Sequence, residues 1–154
     1  MIERPEVVTT KHQLTAIIHL TIPKAAIQKE MGPAIQELYS VLREQGISPE
    51  GPWYSHHLAM SPDTWDFEVG VPTKTPVTPQ GRVKPGDLRA ATVARAVYHG
   101  GYDGLGAGWG ELMSWISENK HTACGDLWEV YMKGPESTDD PAQYRTELNR
   151  PLVS

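Results

Sequence analysis

The sequence predicts an α+β domain: a tandem duplication of a β-α-β-β unit, with an antiparallel sheet, two helices on one side and a ligand cleft on the other. Three observations lead there. The even positions Leu14, Ala16, Ile18, Leu20 and Ile22 are apolar, the period of a strand with one core face. Two stretches, one through Ile27, Met31, Ile35, Leu38, Val41 and Leu42 and one through Leu105, Trp109, Leu112 and Ile116, carry apolar residues at helical spacing. The order of elements then recurs, and some residues recur with it. At a separation of 74, Leu14 and Ala16 meet Leu88 and Ala90, and Glu37, Leu38, Ser40 and Glu44 meet Glu111, Leu112, Ser114 and Glu118.

Residues 1–10 read as a lead-in to the first strand, His12 to Ile22. Pro23 closes that strand and suits the first turn of a helix. The helix spans about Lys24 to Gln45; Pro33 should kink it or mark a restart, and Gly46 stops it. Strands follow at about Trp53–Met60 and Trp65–Val71, joined by the turn Ser61-Pro62-Asp63. Residues 73–87 hold Pro76, Pro79, Gly81, Pro85 and Gly86 and read as a crossing loop. The second set runs from a strand at Leu88 to about His99, through a helix ending near Asn119, to strands at Leu127–Met132 and Tyr144–Leu148. One domain thus contains repeat halves at about 11–72 and 88–151, with a linker at 73–87.

The strand Leu127–Met132 carries the chemistry. Residues i and i+2 share a face, so Glu129 and Tyr131 point one way and Trp128, Val130 and Met132 the other. The apolar trio is expected to face the core, leaving a carboxylate and a phenol on a pocket-lining face. One further residue of offset, 75, brings Trp53 onto Trp128 and Tyr54 onto Glu129. Tyr54 and His56 are therefore expected where Glu129 and Tyr131 stand in the other half. Tyr102 at the start of the second helix and Trp115 on it are expected at the cleft's end and rim. A carboxylate among aromatic rings attracts a cation, and the same burial raises its pKa, which also suits general acid or base work.

The ordered set His99-Gly100-Gly101-Tyr102-Asp103-Gly104-Leu105, Trp109, Trp115-Ile116, Trp128-Glu129-Val130-Tyr131, Asp140-Pro141-Ala142 and Arg145-Thr146-Glu147-Leu148 resembles the GyrI-like superfamily. Phe67-Glu68-Val69-Gly70-Val71-Pro72 and Gly81-Arg82-Val83 agree in the first half. The likeness runs from about His12 to Pro151. The family is also called the bacterial transcription-activator effector-binding domain, of SOUL/GyrI-like fold. The resemblance implies the doubled β-α-β-β architecture and binding of lipophilic, often cationic, small molecules between the halves, with Glu129 as the pocket carboxylate. It implies two alternatives as well. One is a hydrolase that opens strained cyclopropanes in reactive xenobiotics, with Glu129 activating water and Tyr131 or Tyr54 donating a hydrogen bond. The other is a DNA gyrase inhibitor, with a topoisomerase as protein partner. About ten residues precede the first strand, too few for a helix-turn-helix, which reads as a stand-alone copy.

Bulk properties narrow the classes. The net charge of −5 argues against nucleic acid as a direct partner, and no apolar run reaches membrane-span length. The first residues lack a signal-peptide layout, and the single Cys124 fits a cytoplasmic protein. His56 and His57 are adjacent on a strand and so point to opposite faces, and no partner sits at zinc spacing; no metal is expected. The glycines from Gly104 to Gly110 do not satisfy a dinucleotide fingerprint, and no cofactor is expected. Those glycines are expected to let the helix pack closely. Glu68 and Glu147 match as repeat mates and are expected to make structural hydrogen bonds or ion pairs with nearby arginines.

Overall fold

A computed structural model describes residues 2–61, 63–135 and 137–153 of the chain. Its elements are β1 (Glu6–Thr9), β2 (Gln13–Pro23), α1 (Ile27–Glu44), β3 (Tyr54–Met60), β4 (Thr64–Pro72), β5 (Lys84–Leu88), β6 (Thr92–His99), α2 (Leu105–Glu118), β7 (Leu127–Lys133) and β8 (Arg145–Pro151). The predicted α+β class holds. Of the expected turn Ser61-Pro62-Asp63, Pro62 lies outside the described residues. No helix among the described residues is long and apolar enough to cross a membrane.

The chain divides into two compact units, one of Lys11–Ala90 and one that joins the first ten residues to those from Ala91 onward. In the first, antiparallel strands lie in the order β3-β4-β2-β5. Alternation along β2 sends Ala16, Ile18 and Leu20 to one face, where they meet Phe67, Val69 and Val71 of β4 and Ala34, Leu38, Val41 and Leu42 of α1. α1 runs through Pro33 without the expected restart. Pro33 is exposed, so its ring is accommodated on the helix face away from the sheet.

Two segments read as irregular are strands. β5 begins inside the expected linker and ends at Leu88, where the second half's first strand was expected to start, whereas that strand begins at Thr92; β5 carries Pro85 and Gly86, both strand-breaking signals. It is an edge strand, where a missing N–H is tolerated. Gly86 is required there, since a Cβ would stand 2.8 Å from the Ile17 side chain across the sheet. Glu6–Thr9, read as a lead-in, pairs with Thr92–Arg95 of β6.

The second unit orders its strands β1-β6-β8-β7, again all antiparallel. Ala94, Ala96 and Tyr98 of β6 join Leu148 and Leu152 under Leu112 and Ile116 of α2. The glycines at the start of α2 fall into two kinds. A Cβ on Gly104 would lie 2.1 Å from the Tyr98 hydroxyl oxygen, and one on Gly108 2.6 Å from the Tyr98 ring. These two glycines let the helix settle on Tyr98, as expected. Gly106 and Gly110 have open space where a Cβ would go, so packing does not require them.

The halves correspond, with an offset that differs from the sequence reading. Ala94 stands where Ala16 does, a separation of 78, and both helices follow short 3₁₀ turns, Lys24–Ala26 and Tyr102–Gly104, at that same separation. The helices end 74 apart, because α1 has 18 residues and α2 has 14. Four residues are about one helical turn, so the difference leaves the facing of both helices unchanged.

Substitution separates the glycines. Gly106→Ala and Gly110→Ala should each raise unfolding free energy by up to about 1 kcal/mol, the helix-propensity gain. Gly108→Ala should lower it by about 1–3 kcal/mol through overpacking against Tyr98. Chemical denaturation of the three variants checks this.

Candidate functional site

Strand register fixes the facing of the Trp-Glu-Val-Tyr stretch. Glu129 lies opposite Leu148 and Tyr131 opposite Thr146, and Leu148 is a core residue under α2. Directly opposed residues share a face, so Glu129 and Tyr131 point toward α2. This reverses the expected arrangement, in which the apolar trio would face the core. Trp128 is buried on the other face opposite Asn149, while Met132 is half exposed. Alternation shows which residues go together; it does not say which set the helix covers.

The polar set can lie under the helix because α2 brings a matching donor. Trp109 Nε1 donates to Glu129 Oε2 at 2.6 Å, and the Tyr131 hydroxyl donates to Oε1 at 2.6 Å. Glu129 is only 8% exposed and Tyr131 7%. Among the described residues no lysine, arginine or histidine forms an ion pair with Glu129. Burial pushes its carboxyl pKa above the ordinary value, and the hydrogen bonds from Tyr131 and Trp109 oppose that rise. A carboxylate offers about four lone-pair positions, so two neutral donors leave it with unused acceptor capacity and an uncompensated charge.

Aromatic rings extend from this carboxylate. Tyr102, in the 3₁₀ turn before α2, meets the Tyr131 ring edge-on at 5.9 Å and lies 5.3 Å from the Tyr144 ring. Tyr102 is 39% exposed, so the cluster grades from a buried charge to an accessible ring. The Thr146 hydroxyl, opposite Tyr131, is buried without a hydrogen-bond partner. This combination can hold a cation through charge and ring faces together.

The other predicted residues lie elsewhere. Trp115 stacks on His121 at 6.0 Å and does not meet Glu129. Trp109, read as part of the second helix's apolar stripe, does; six residues separate the two, so they point about 120° apart around the helix. Tyr54 lies opposite Gly70 and His56 opposite Glu68, on the face of the first unit away from α1. The Tyr54 ring covers Gly70, where a Cβ would be 2.4 Å away. His56 Nδ1 is 3.9 Å from Glu68 Oε1.

The counterparts of Glu129 and Tyr131 in the first unit are instead Ser55 and His57. They oppose Val69 and Phe67, core residues under α1. Pairing Tyr54 with Glu129 was a slip of one residue, which turns every side chain to the opposite face. The separation is 74 here as at the helix ends. Glu147, as expected, pairs with arginine: Arg95 Nε lies 3.4 Å from it, and Asn149 bridges the two.

Fold and site define an α+β class in which each half sets a helix on an antiparallel sheet and the second half buries a carboxylate among aromatic donors. The chain belongs to the GyrI-like family: residues 3–152 match the GyrI-like small molecule binding domain. Among solved structures, the EcmrR C-terminal domain aligns with a TM-score of 0.86 at 17% identity, over 98% of each chain. EcmrR in its DNA complex aligns with the same score at 18% identity, and this chain spans 57% of that one. SAV2435 bound to tetraphenylphosphonium aligns at 0.66 and 12% identity, covering 99% of this chain and 95% of that one. A hydrolase from Listeria innocua aligns at 0.71 and 14% identity, covering 97% and 92%. At such identities the likeness shows the fold alone. No curated protein matches the sequence.

The raised pKa of Glu129 has a consequence for stability. In the window between its unfolded value and its higher folded value, the native state binds more protons than the unfolded one. Stability contributed by this group therefore falls as pH rises through the window. Relative to Glu129→Gln, the natural protein should lose stability as pH rises through and above the ordinary glutamate range. Thermal unfolding of both proteins across that range checks it; a constant difference would contradict the buried, uncompensated charge.

Proposed function

We propose that this GyrI-like domain binds a lipophilic cation, with Glu129 as the charged anchor and Tyr131 and Tyr102 as its aromatic walls. One observation carries the reading: Glu129 is buried with two neutral hydrogen-bond donors and no cationic partner among the described residues. An uncompensated carboxylate in a low-dielectric setting is costly to the free protein. A cation with apolar surface relieves that cost and buries its own apolar area at the same time. Family membership and the tetraphenylphosphonium-bound SAV2435 support this choice of ligand class.

Titration calorimetry with tetraphenylphosphonium tests the anchor. Glu129→Gln keeps the shape and removes the charge, and should weaken binding by about tenfold or more, equivalent to about 1.4 kcal/mol. Unchanged affinity would remove Glu129 from the role.

A hydrolytic reading is favoured by one further feature. A carboxylate with a raised pKa, hydrogen-bonded to a phenol at 2.6 Å, is equipped to take a proton from water as that water attacks an electrophilic carbon. The likeness to a Listeria innocua hydrolase agrees with this reading. It predicts multiple-turnover product formation from a cyclopropane-bearing alkylator and loss of turnover in Glu129→Gln. Strictly stoichiometric capture would exclude it.

A further inference from the structure

We infer that the first half carries a ligand site of its own, of opposite polarity, in which Lys24, Trp65, His57 and Ser55 take a small molecule bearing a planar aromatic ring and a carboxylate. The inference starts from the correspondence of the halves and holds whether or not the cation reading does. Ser55 and His57 occupy on β3 the places that Glu129 and Tyr131 occupy on β7, each pair beneath its own helix. Lys24 opens the 3₁₀ turn before α1 as Tyr102 opens the one before α2. Trp65 near the start of β4 corresponds to Tyr144 just before β8.

One contact corresponds as well, Lys24 with Trp65 and Tyr102 with Tyr144. In the second half Tyr102 links Tyr131 to Tyr144. In the first, Trp65 is the linking ring: Lys24 Nζ sits 5.4 Å over its face, and the His57 ring meets it edge-on at 5.3 Å. His57 also stacks on Phe67 at 5.1 Å, and its Nε2 lies 3.1 Å from Ser55 Oγ. The positions therefore correspond in both halves, with Lys24–Trp65 matching Tyr102–Tyr144, while the ring that joins the cluster differs and the charge at its end is reversed. Where the second half has a buried carboxylate, the first has a hydroxyl and an imidazole; where the second has an exposed phenol, the first has an ammonium.

Two features call for an anionic ligand. His57 is 5% exposed, and its Nδ1 is buried without a hydrogen-bond partner, an unsatisfied polar atom within an otherwise aromatic cluster. The proposed site takes the tautomer in which Ser55 donates to Nε2 and the ring proton lies on Nδ1, a donor that then needs an acceptor. Burial, and then the neighbouring His56, hold the His57 pKa down to about 4, so the imidazole is neutral at pH 7 and available as a donor without charge. Lys24 is exposed and forms no ion pair among the described residues, so it can supply the countercharge. Of the acids near this turn, Asp66 is engaged with His19 and Thr21, and Asp63 meets Lys24 only through backbone. In the proposed complex the ligand carboxylate accepts from the Lys24 ammonium and, once the enclosed His57 N–H opens to it, from Nδ1, with its ring against Trp65.

Sodium benzoate is a suitable probe, added to the full chain at pH 7 while the His57 ring nitrogens are followed by NMR. The expected result is a saturable shift of His57 Nδ1. Lys24→Ala, a surface change that should not disturb folding, is expected to weaken benzoate binding by about tenfold. Tetraphenylphosphonium affinity should be unchanged in that variant, and benzoate affinity unchanged in Glu129→Gln. The inference is overturned by no saturable shift at His57 up to about 10 mM benzoate, a level that detects affinities of about 4 kcal/mol. Full benzoate affinity in Lys24→Ala also overturns it, as does parallel loss of both ligands in that variant. Loss of tetraphenylphosphonium sensitivity to residue 129 alone would count against the cation reading and leave this one standing.

Discussion

A buried carboxylate held by two neutral donors is the constraint on which the second half of this protein depends. Desolvating an unpaired charge costs several kcal/mol, and hydrogen bonds from a phenol and an indole offset that only in part. The surroundings of Glu129 serve to supply those donors. β7 delivers Tyr131 two residues along the same face, and α2 delivers Trp109 from above. Free energy that the fold does not recover remains available to a ligand. On the proposed reading, a bound cation would recover that free energy.

Placing the indole requires α2 to lie close on the sheet, and this is the work of two small residues. Gly104 and Gly108 admit the ring of Tyr98 beneath the first turns of the helix. Tyr98 in turn faces Thr146 on β8, the residue opposite Tyr131. A line of direct packing thus runs from the glycine-rich start of α2 through β6 and β8 to the strand that carries the carboxylate. The sequence showed the glycines plainly and suggested close packing, but not which of them was needed. Helix phase separates Gly104 and Gly108 from Gly106 and Gly110, and only knowledge of the covered face turns that phase into contacts.

The same limit explains what was legible in the sequence and what was not. The period-two run in β2, the two apolar helical stripes and the order of elements were local patterns, and they survive. Glu129, Tyr131 and Tyr102 do lie together, since strand parity and a glycine-marked helix start are also local. Trp109 was missed because an indole on an apolar stripe reads as core until the acceptor beneath it is known. Tyr54 and His56 were placed on the wrong face by a one-residue slip in matching the halves. Trp53 and Trp128 are alike in sequence but not equivalent in place; the core residues Val69 and Leu148, which oppose Ser55 and Glu129, set the alignment. β5 escaped notice because proline and glycine read as breakers, although an edge strand tolerates both.

The two halves share one framework and differ in a few chemical groups: Glu129 against Ser55, Tyr131 against His57, Tyr102 against Lys24. Those substitutions change charge and hydrogen-bonding sense while leaving the β-strand and helix geometry in place. Divergence of paired sites within a common fold needs no more than this. The central claim is that the Glu129 carboxylate is strained by burial and relieved by a cation. Carbon-13 NMR titration of that carboxyl, with and without saturating tetraphenylphosphonium, tests it most directly. The account predicts a midpoint above the ordinary glutamate value in the free protein and a lower one with the cation bound. An ordinary midpoint in the free protein, or one that the cation leaves unmoved, would contradict it.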